Sequence, residues 1–279
     1  TFLGASIASN RTIPARAETI SLPNKINLPL IMSFDFEMLN SSLFVFSNRD
    51  LLANNQSFIY TIRGDRSDLT QITPGIFSDL SPDGTKIIYF LNEEIYLANV
   101  DGTNPTNITN HLGWDVEPDW SPDGLLIAFR TGRDGNAEIY TMQPDGSHLV
   151  NLTNHSAWDG APDWSPDGSK IVFISDRSGS RNIFVMNADG SNPTQITNFS
   201  SSVVWVDGPA WSPDGSKIAF SADMSGTDDD ILVMQSDGSN LTVLANSSSA
   251  EILPIWSPDG TMIAFSANND ADPVHKTFL

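Results

Sequence analysis

Acidic and aromatic side chains occur together in two similar stretches, HLGWDVEPDW from His111 and HSAWDGAPDW from His155. Each stretch places a tryptophan directly before an aspartate, Trp205 lies two residues before Asp207, and Glu251 repeats the acid without the tryptophan. Oxygen ligands that converge from several segments suit a hard cation such as calcium, which takes about six to eight of them. An aromatic ring beside a carboxylate can instead hold a sugar or a cationic side chain. The pattern predicts a binding site and leaves its ligand open.

The candidate ligand-binding residues are acids and tryptophans that precede one recurring sequence motif. They are Trp114, Asp115, Glu117, Trp158, Asp159, Trp205, Asp207 and Glu251. Asp115, Asp159 and Glu251 are the candidate metal ligands, with calcium as the expected ion and a solvated acidic rim as the alternative. For the three tryptophans the alternative to ligand contact is packing between structural units.

No hydrolase motif accompanies these residues. A G-x-S-x-G nucleophile elbow is absent, and the four histidines lack H-E-x-x-H or comparable ligand spacing. The chain has no cysteine, which excludes disulfides and thiol nucleophiles. We therefore expect no catalytic residues and predict that the protein is not an enzyme.

The recurring motif is WSPDG, which follows at Trp120, Trp164, Trp211 and Trp256, with LSPDG from Leu80. Its copies lie 40 to 47 residues apart, which is the length of a propeller blade. Each unit reads as four short strands with period-two apolar alternation, separated by turns rich in Gly and Asp. An eroded sixth unit is indicated upstream by LFVFSNRD from Leu43.

The motif itself is predicted to be scaffold. Proline presets the residue before Asp, and Gly takes the left-handed conformation that closes a hairpin. We expect this turn to join the innermost strand of each unit to the second strand. The motif tryptophan is expected to be buried between units, because indole burial contributes strongly to core stability.

The run DWSPDG…IVFISDRSGSRNIFVMNADGSNPTQIT resembles the WD40-like repeat of TolB-type β-propellers, over about residues 31 to 275. The resemblance implies an all-β, six-bladed propeller with four-stranded antiparallel blades. It also implies a periplasmic or secreted protein that binds other proteins. Related six-bladed folds include calcium-dependent lactonases.

Counting strands along the chain predicts two segments, a tail over residues 1–16 and a single propeller over residues 17–279. The last unit has room for three strands, so AETISL from Ala17 is expected to complete the last blade and close the ring. The remaining stretch, TFLGASIASN, is uncharged and partly apolar. Such a strand can pair with the exposed edge of a second copy, which would build a ring or a filament. A frayed tail is the alternative.

The net charge of −20 argues against nucleic acid as a partner, because phosphates would be repelled. Nine aspartates belong to turns, and the other acidic residues still outnumber the 14 basic ones. No apolar run is long enough to span a membrane. Asn-X-Ser/Thr sequons, which predict glycosylation in an extracellular glycoprotein, occur at Asn10, Asn40, Asn55, Asn107, Asn151, Asn154, Asn198, Asn240 and Asn246.

Together these features predict a non-catalytic binding or assembly module, extracellular or periplasmic, whose partner is another protein or copies of itself. The alternative function is a calcium-dependent hydrolase of the lactonase type, with its site in the acidic mouth of the channel.

Overall fold

The computed structural model describes residues 20–21, 27–28, 43–50, 56–63, 68–200, 203, 205–224, 226, 228–246 and 250–268. The regular structure in these ranges consists of β-strands, so the predicted all-β class is confirmed. None of the described segments is a helix that could cross a membrane. A short hairpin, β1 (Ile20–Ser21) with β2 (Asn27–Leu28), precedes the rest.

Six antiparallel sheets then follow one another along the described chain. Sheet 1 contains β3 (Leu43–Asp50), β4 (Gln56–Arg63) and β5 (Thr70–Pro74). Sheet 2 contains β6 (Ile76–Leu80), β7 (Lys86–Leu91), β8 (Glu94–Asn99) and β9 (Thr106–Asn107). Sheet 3 contains β10 (Asp115–Trp120), β11 (Ile127–Thr131), β12 (Glu138–Met142) and β13 (Val150–Asn151).

Sheet 4 contains β14 (Asp159–Trp164), β15 (Lys170–Ser175), β16 (Asn182–Asn187) and β17 (Thr194–Gln195). Sheet 5 contains β18 (Val206–Trp211), β19 (Lys217–Ala222), β20 (Asp230–Gln235) and β21 (Thr242–Ala245). Sheet 6 contains β22 (Ala250–Trp256) and β23 (Ile263–Asn268). Each strand pairs with the next in sequence, and the first strands of sheets 2 to 6 contact one another in chain order. Consecutive sheets therefore lie side by side, with their first strands adjoining, as the blades of a propeller do.

The SPDG segment joins the first strand to the second, as predicted. In sheet 3 the Ser121 hydroxyl donates to Asp123 Oδ1 at 2.7 Å and accepts from the amide of Leu126 at 2.8 Å. Gly124 closes the turn with φ of +71°, a conformation in which glycine has no Cβ to clash. The residues of the motif therefore fix this hairpin turn, through the hydrogen bonds of Ser121 and the backbone conformation of Gly124.

The hydrophobic cores lie between consecutive sheets. Trp164 of sheet 4 packs against Ile139 and Leu152 of sheet 3, and the motif tryptophans of sheets 3 and 5 are placed alike. The predicted role of the tryptophan as an inter-blade wedge is confirmed. The predicted alternation fails in the second strands: β15 is buried from Ile171 to Ser175, because a sheet between two others has no solvent-facing side.

A second Asp-Gly turn joins the third strand to the fourth and brings the sheets into close contact. A Cβ on Gly190 would lie 2.6 Å from the carbonyl oxygen of Leu152, which directly follows the last strand of sheet 3. A Cβ on the equivalent Gly146 or Gly238 would lie closer still to a carbonyl oxygen next to the preceding sheet, at 2.3 and 2.1 Å. These glycines therefore allow the backbones of neighbouring sheets to approach.

Six blades and ring closure stay predictions. The expected first strand of sheet 1 and the last strands of sheet 6 fall outside the described residues. Ile20 and Ser21, from the segment expected to complete the last blade, pair with Leu28 and Asn27. The tail predicted over residues 1–16 also lies outside the described residues.

We predict that Gly190→Ala destabilises the fold more than Gly168→Ala. Both glycines have positive φ, +81° and +68°, so both substitutions strain the backbone by about 1–2 kcal/mol. A Cβ on Gly168 meets no atom closer than Pro122 Cδ at 3.9 Å, whereas a Cβ on Gly190 meets the Leu152 carbonyl oxygen. Denaturant unfolding should show about 1 kcal/mol or more of additional loss for Gly190→Ala. Equal losses would contradict the close approach of sheets 3 and 4.

Candidate functional site

A bulge recurs in the first strands of sheets 2 to 6, near the end of the sheets that carries Trp114, Trp158 and Trp205, which we call the rim. In sheet 3 the pairing of β10 with β11 shifts register between Val116 and Asp119, and Glu117 between them has φ of +56°. The same position has positive φ in sheets 2, 4, 5 and 6, where it is Phe77, Ala161, Gly208 and Leu253. Because the bulge recurs, the strained backbone conformation at this position is a property of the repeat. The residue that adopts it differs between sheets.

The loop before Trp158 is fixed by the third strand of sheet 3. Glu138, which is buried, accepts hydrogen bonds from the Thr153 hydroxyl and, at 2.9 Å, from the amide of His155. His155 Nδ1 then accepts from the amide of Ala157 at 3.0 Å. This bonding places Trp158 at the start of β14. The loop before Trp114 is built the same way from Glu94 and His111.

Asp115 and Asp159, two of the candidate metal ligands, are paired with arginines. Both carboxylates are fully buried (0% exposed). Arg133 Nη2 lies 3.0 Å from Asp115 Oδ1, and Arg177 Nη2 lies 2.9 and 3.0 Å from the two oxygens of Asp159. Burial raises the pKa of Asp159, while Ser175 and Arg177 act in the opposite direction.

Aromatic rings cover both of these guanidinium groups. Arg133 Cζ lies 5.5 Å from the ring centre of Phe129 and 5.0 Å from that of Tyr140. Arg177 makes the same contacts with Phe173 and Phe184, at 5.4 and 5.2 Å. Aromatic rings therefore cover both ion pairs and shield them from solvent.

The candidate tryptophans form a ladder with two further arginines. Arg130 Cζ lies 4.7 Å from the ring centre of Trp114 and 5.2 Å from that of Trp158. Arg181 Cζ lies 4.3 Å from Trp158 and 4.5 Å from Trp205. Guanidinium groups thus alternate with indoles across sheets 3, 4 and 5, in the geometry of cation–π contacts. We call this arrangement the Trp–Arg ladder.

Glu117 and Asp207 flank the ladder. Glu117 Oε2 accepts from Arg130 Nε at 2.7 Å and from the amide of Ala161 at 2.9 Å. Burial raises the pKa of Asp207 and repulsion by Glu117 raises it further, while Arg181 and Arg130 act to lower it. The cationic ligand that sequence allowed for at this site is thus supplied by the chain's own arginines.

Glu251, the third candidate metal ligand, is also buried, and its amide donates to the carbonyl oxygen of Asp229 at 2.7 Å. Among the described residues no three Asp, Glu or His side chains are grouped so as to hold a metal ion. Arg177 takes both oxygens of Asp159 and Arg133 takes one oxygen of Asp115, so a guanidinium already occupies the place beside each carboxylate where a calcium ion would bind. Calcium binding stays a prediction that the geometry of the described residues does not favour.

Three buried carboxylates of the first strands were missed by sequence reasoning: Asp79, Asp119 and Asp163, each directly before a motif Leu or Trp. Their Oδ2 atoms accept the amides of Trp120, Trp164 and Trp211 in the next sheet, at 2.9, 2.8 and 2.7 Å. Burial raises the pKa of Asp79 to about 6 and that of Asp163 to about 7. Burial and the other two carboxylates raise the pKa of Asp119. The repeated Asp-Trp pair was the available signal.

The structure separates the sequons by environment. Asn107 and Asn151 are half-buried, and their Oδ1 atoms accept backbone amides two and three residues ahead. The exposed sequon asparagines are Asn154, Asn198, Asn240 and Asn246. Asn10, Asn40 and Asn55 fall outside the described residues. Glycosylation stays a prediction, and it is sterically easier at the exposed sites.

Four-stranded sheets with adjoining first strands define the class of the protein, a β-propeller. A family model of the TolB beta propeller domain matches residues 76–205. The Tol-Pal system protein TolB of Alcanivorax borkumensis is 40% identical over 60 residues, which are 20% of this chain and 14% of that protein. These matches confirm the resemblance to TolB-type propellers.

Solved structures agree with this class. TolB from Acinetobacter baumannii superposes with a TM-score of 0.70 and 25% identity, covering 82% of this chain and 58% of its own. An oligogalacturonate lyase from Vibrio parahaemolyticus has a TM-score of 0.57 and 17% identity, covering 74% of this chain and 63% of its own. The likeness to the lyase shows the fold alone. The chain thus spans little more than half of the A. baumannii TolB structure.

We predict that Arg177→Met is severely destabilising and that adding Asp159→Val restores most of the loss. Removing one partner leaves a buried carboxylate without its counter-charge, which costs about 3–5 kcal/mol. Sheet 5 carries Val206 and Met224 at these two positions, so the double variant copies a pair that the chain already uses. Unfolding free energies of the two variants measure this. A double variant as unstable as Arg177→Met would contradict the pairing.

Stability should pass through a maximum near pH 4–5. Because the pKa of Asp79 and of Asp163 is raised in the folded state, protonation of these carboxyls stabilises the fold. This stabilisation is complete below pH 3.8 and is lost as pH rises through 6–7. Hydrogen bonds from Ser165 and Ser169 lower the pKa of the turn residue Asp167 to about 2, so its contribution is lost as pH falls below 3.8. Asp163→Asn, which can still accept the Trp211 amide, should reduce the decline between pH 5 and 8 by about 1–2 kcal/mol. An unchanged decline in thermal or denaturant unfolding would refute this.

Proposed function

We propose that the protein is a non-catalytic, TolB-like binding module that acts in the periplasm or outside the cell by holding another protein. The observation that carries this proposal is that arginines of the chain engage most of the candidate carboxylates and indoles of the rim, through the side chains of Arg130, Arg133, Arg177 and Arg181. With these groups engaged inside the protein, the rim offers a partner protein a fixed surface shape and a fixed pattern of charge. We also propose that the sheets belong to a six-bladed ring.

The alternative, a calcium-dependent hydrolase of the lactonase type, has the fold-level likeness to oligogalacturonate lyase as its support. It would need Asp115 and Asp159 to exchange guanidinium groups for a metal. Because both arginines are enclosed by rings, that exchange would require the loops after β11 and β15 to open.

One experiment separates the two functions. A photo-reactive side chain at Met224, which is exposed on the rim, should cross-link a discrete partner in cells of the source organism, and one at Leu125, exposed on the opposite face, should not. In parallel, the purified protein with calcium or manganese should turn over neither lactones nor oligogalacturonates. Turnover that is lost in Asp115→Asn or Glu251→Gln would overturn the binding role.

Self-assembly is a second form of the same role, favoured by the outer edge of sheet 5. Strand β21 has four residues, against two in β9, β13 and β17, and exposes Val243 and Leu244, next to the exposed Leu241 that precedes it. An apolar edge of this kind accepts a further strand. We propose that residues 1–16 of a second copy pair there. Light scattering should show a fall in mass when these residues are deleted or Val243 is changed to Lys, and unchanged mass in both would refute strand donation.

A further inference from the structure

The Trp–Arg ladder ends on an exposed indole. Arg130 and Arg181 each lie between two tryptophans, and Trp158 is covered by an arginine on both sides. Trp205, the last member, is contacted by Arg181, yet 42% of its surface is exposed. The next step of the ladder would place a cation between Trp205 and sheet 6.

The repeat shows that the described chain supplies no cation at this step. Arg181 directly precedes β16, and the residue that directly precedes β20 is Asp229. Arg130 directly follows the Ile-x-Phe pattern that starts at Ile127 in β11, and Ser221 directly follows the same pattern in β19. Sheet 6 carries Ala250 where sheets 3 to 5 carry tryptophan. The indole at the end of the ladder is therefore followed by a carboxylate and a small residue.

Carboxylates accumulate around this position. Asp229 lies within interaction range of other carboxylates, which are Asp207, Asp223, Asp228 and Asp230. Its Oδ1 is buried and has no hydrogen-bond partner among the described residues. Burial, followed by repulsion from these neighbours, raises the pKa of Asp229 to about 6. The other positions in the loops before Trp205 and before β20 carry no charge. They are Ser at 201, 202 and 225, Val at 204 and Thr at 227. Neither the loop before Trp205 nor the loop before β20 carries a Lys or Arg, so the carboxylates around Asp229 gain no cation from these two loops.

We propose that a partner protein places an arginine side chain on the exposed face of Trp205 and pairs it with Asp229, so that the partner supplies the third guanidinium of the ladder. Arginine fits better than lysine, because a planar guanidinium stacks on an indole and donates two parallel hydrogen bonds to a carboxylate. The proposal rests on the binding role given above and names the chemistry of the bound segment.

The test uses short peptides and the full chain. The peptide Ac-Arg-Gly-Arg-NH2 is titrated at 0.15 M NaCl, where diffuse attraction to the acidic surface is reduced, and the Trp205 indole N–H is followed by NMR. We expect a saturable shift of this signal and at least about tenfold weaker binding of the lysine and citrulline peptides. Equal binding of the arginine and lysine peptides, or saturation without a shift at Trp205, would overturn the proposal.

Variants locate the site. Asp229→Arg restores the residue type that sheet 4 has at this position, so its own guanidinium should occupy Trp205 and weaken peptide binding at least about tenfold. Trp205→Leu should do the same by removing the stacking face, and it keeps the test decisive if Asp229→Arg does not fold. Glu93→Arg makes the same change of charge in the exposed β7–β8 loop and should leave binding intact. Loss of binding in Glu93→Arg equal to that in Asp229→Arg would refute a local site. Rim cross-linking that persists without a peptide shift at Trp205 would refute this inference while leaving the binding role standing.

Discussion

Charge buried at the rim is the constraint on which the rest of the site depends. Asp115 and Asp159 have no contact with solvent, and a carboxylate in that position is tolerated when a guanidinium pairs with it. The guanidinium groups must in turn be covered, and rings of the second and third strands cover them. The carboxylates, arginines and aromatic rings of the rim therefore pack together as one layer that supports the fold.

Differences between repeats carry the functional information. Sheets 3 and 4 share the Asp–Arg pair and the arginine-stacked tryptophan, whereas sheet 5 keeps Trp205 and replaces the pair by Val206 and Met224. When both residues of the ion pair are replaced together, no buried charge is left without a partner, so the fold tolerates the change. The acidic loop before β20 then remains without the arginines that neutralise its counterparts. The repeat is regular where it is structural and departs from that pattern at the surface proposed for a partner.

The fold was largely predictable because its determinants are local. Ser, Pro, Asp and Gly fix each hairpin within a few residues, and Trp164 needs no distant information to be recognised as a packing residue. The roles of Asp115 and Asp159 were not predictable in this way, since Arg133 and Arg177 lie 18 residues further along the chain. One signal was present: each Asp–Arg pair occurs as a unit, and both members are missing together from sheet 5. Whether a carboxylate binds a metal or an arginine depends on such non-local partners.

The most direct test of this account is the environment of the ladder arginines in solution. Proton NMR of the Cδ methylene groups should show Arg130 and Arg181 shifted upfield by the indole rings on either side, while Arg63, which pairs with Asp68 at the surface, stays at its ordinary position. Trp158→Leu should move both ladder signals toward that position. Arg130 and Arg181 signals that match Arg63 in the unmodified protein would contradict the claim that the chain's own arginines fill the rim.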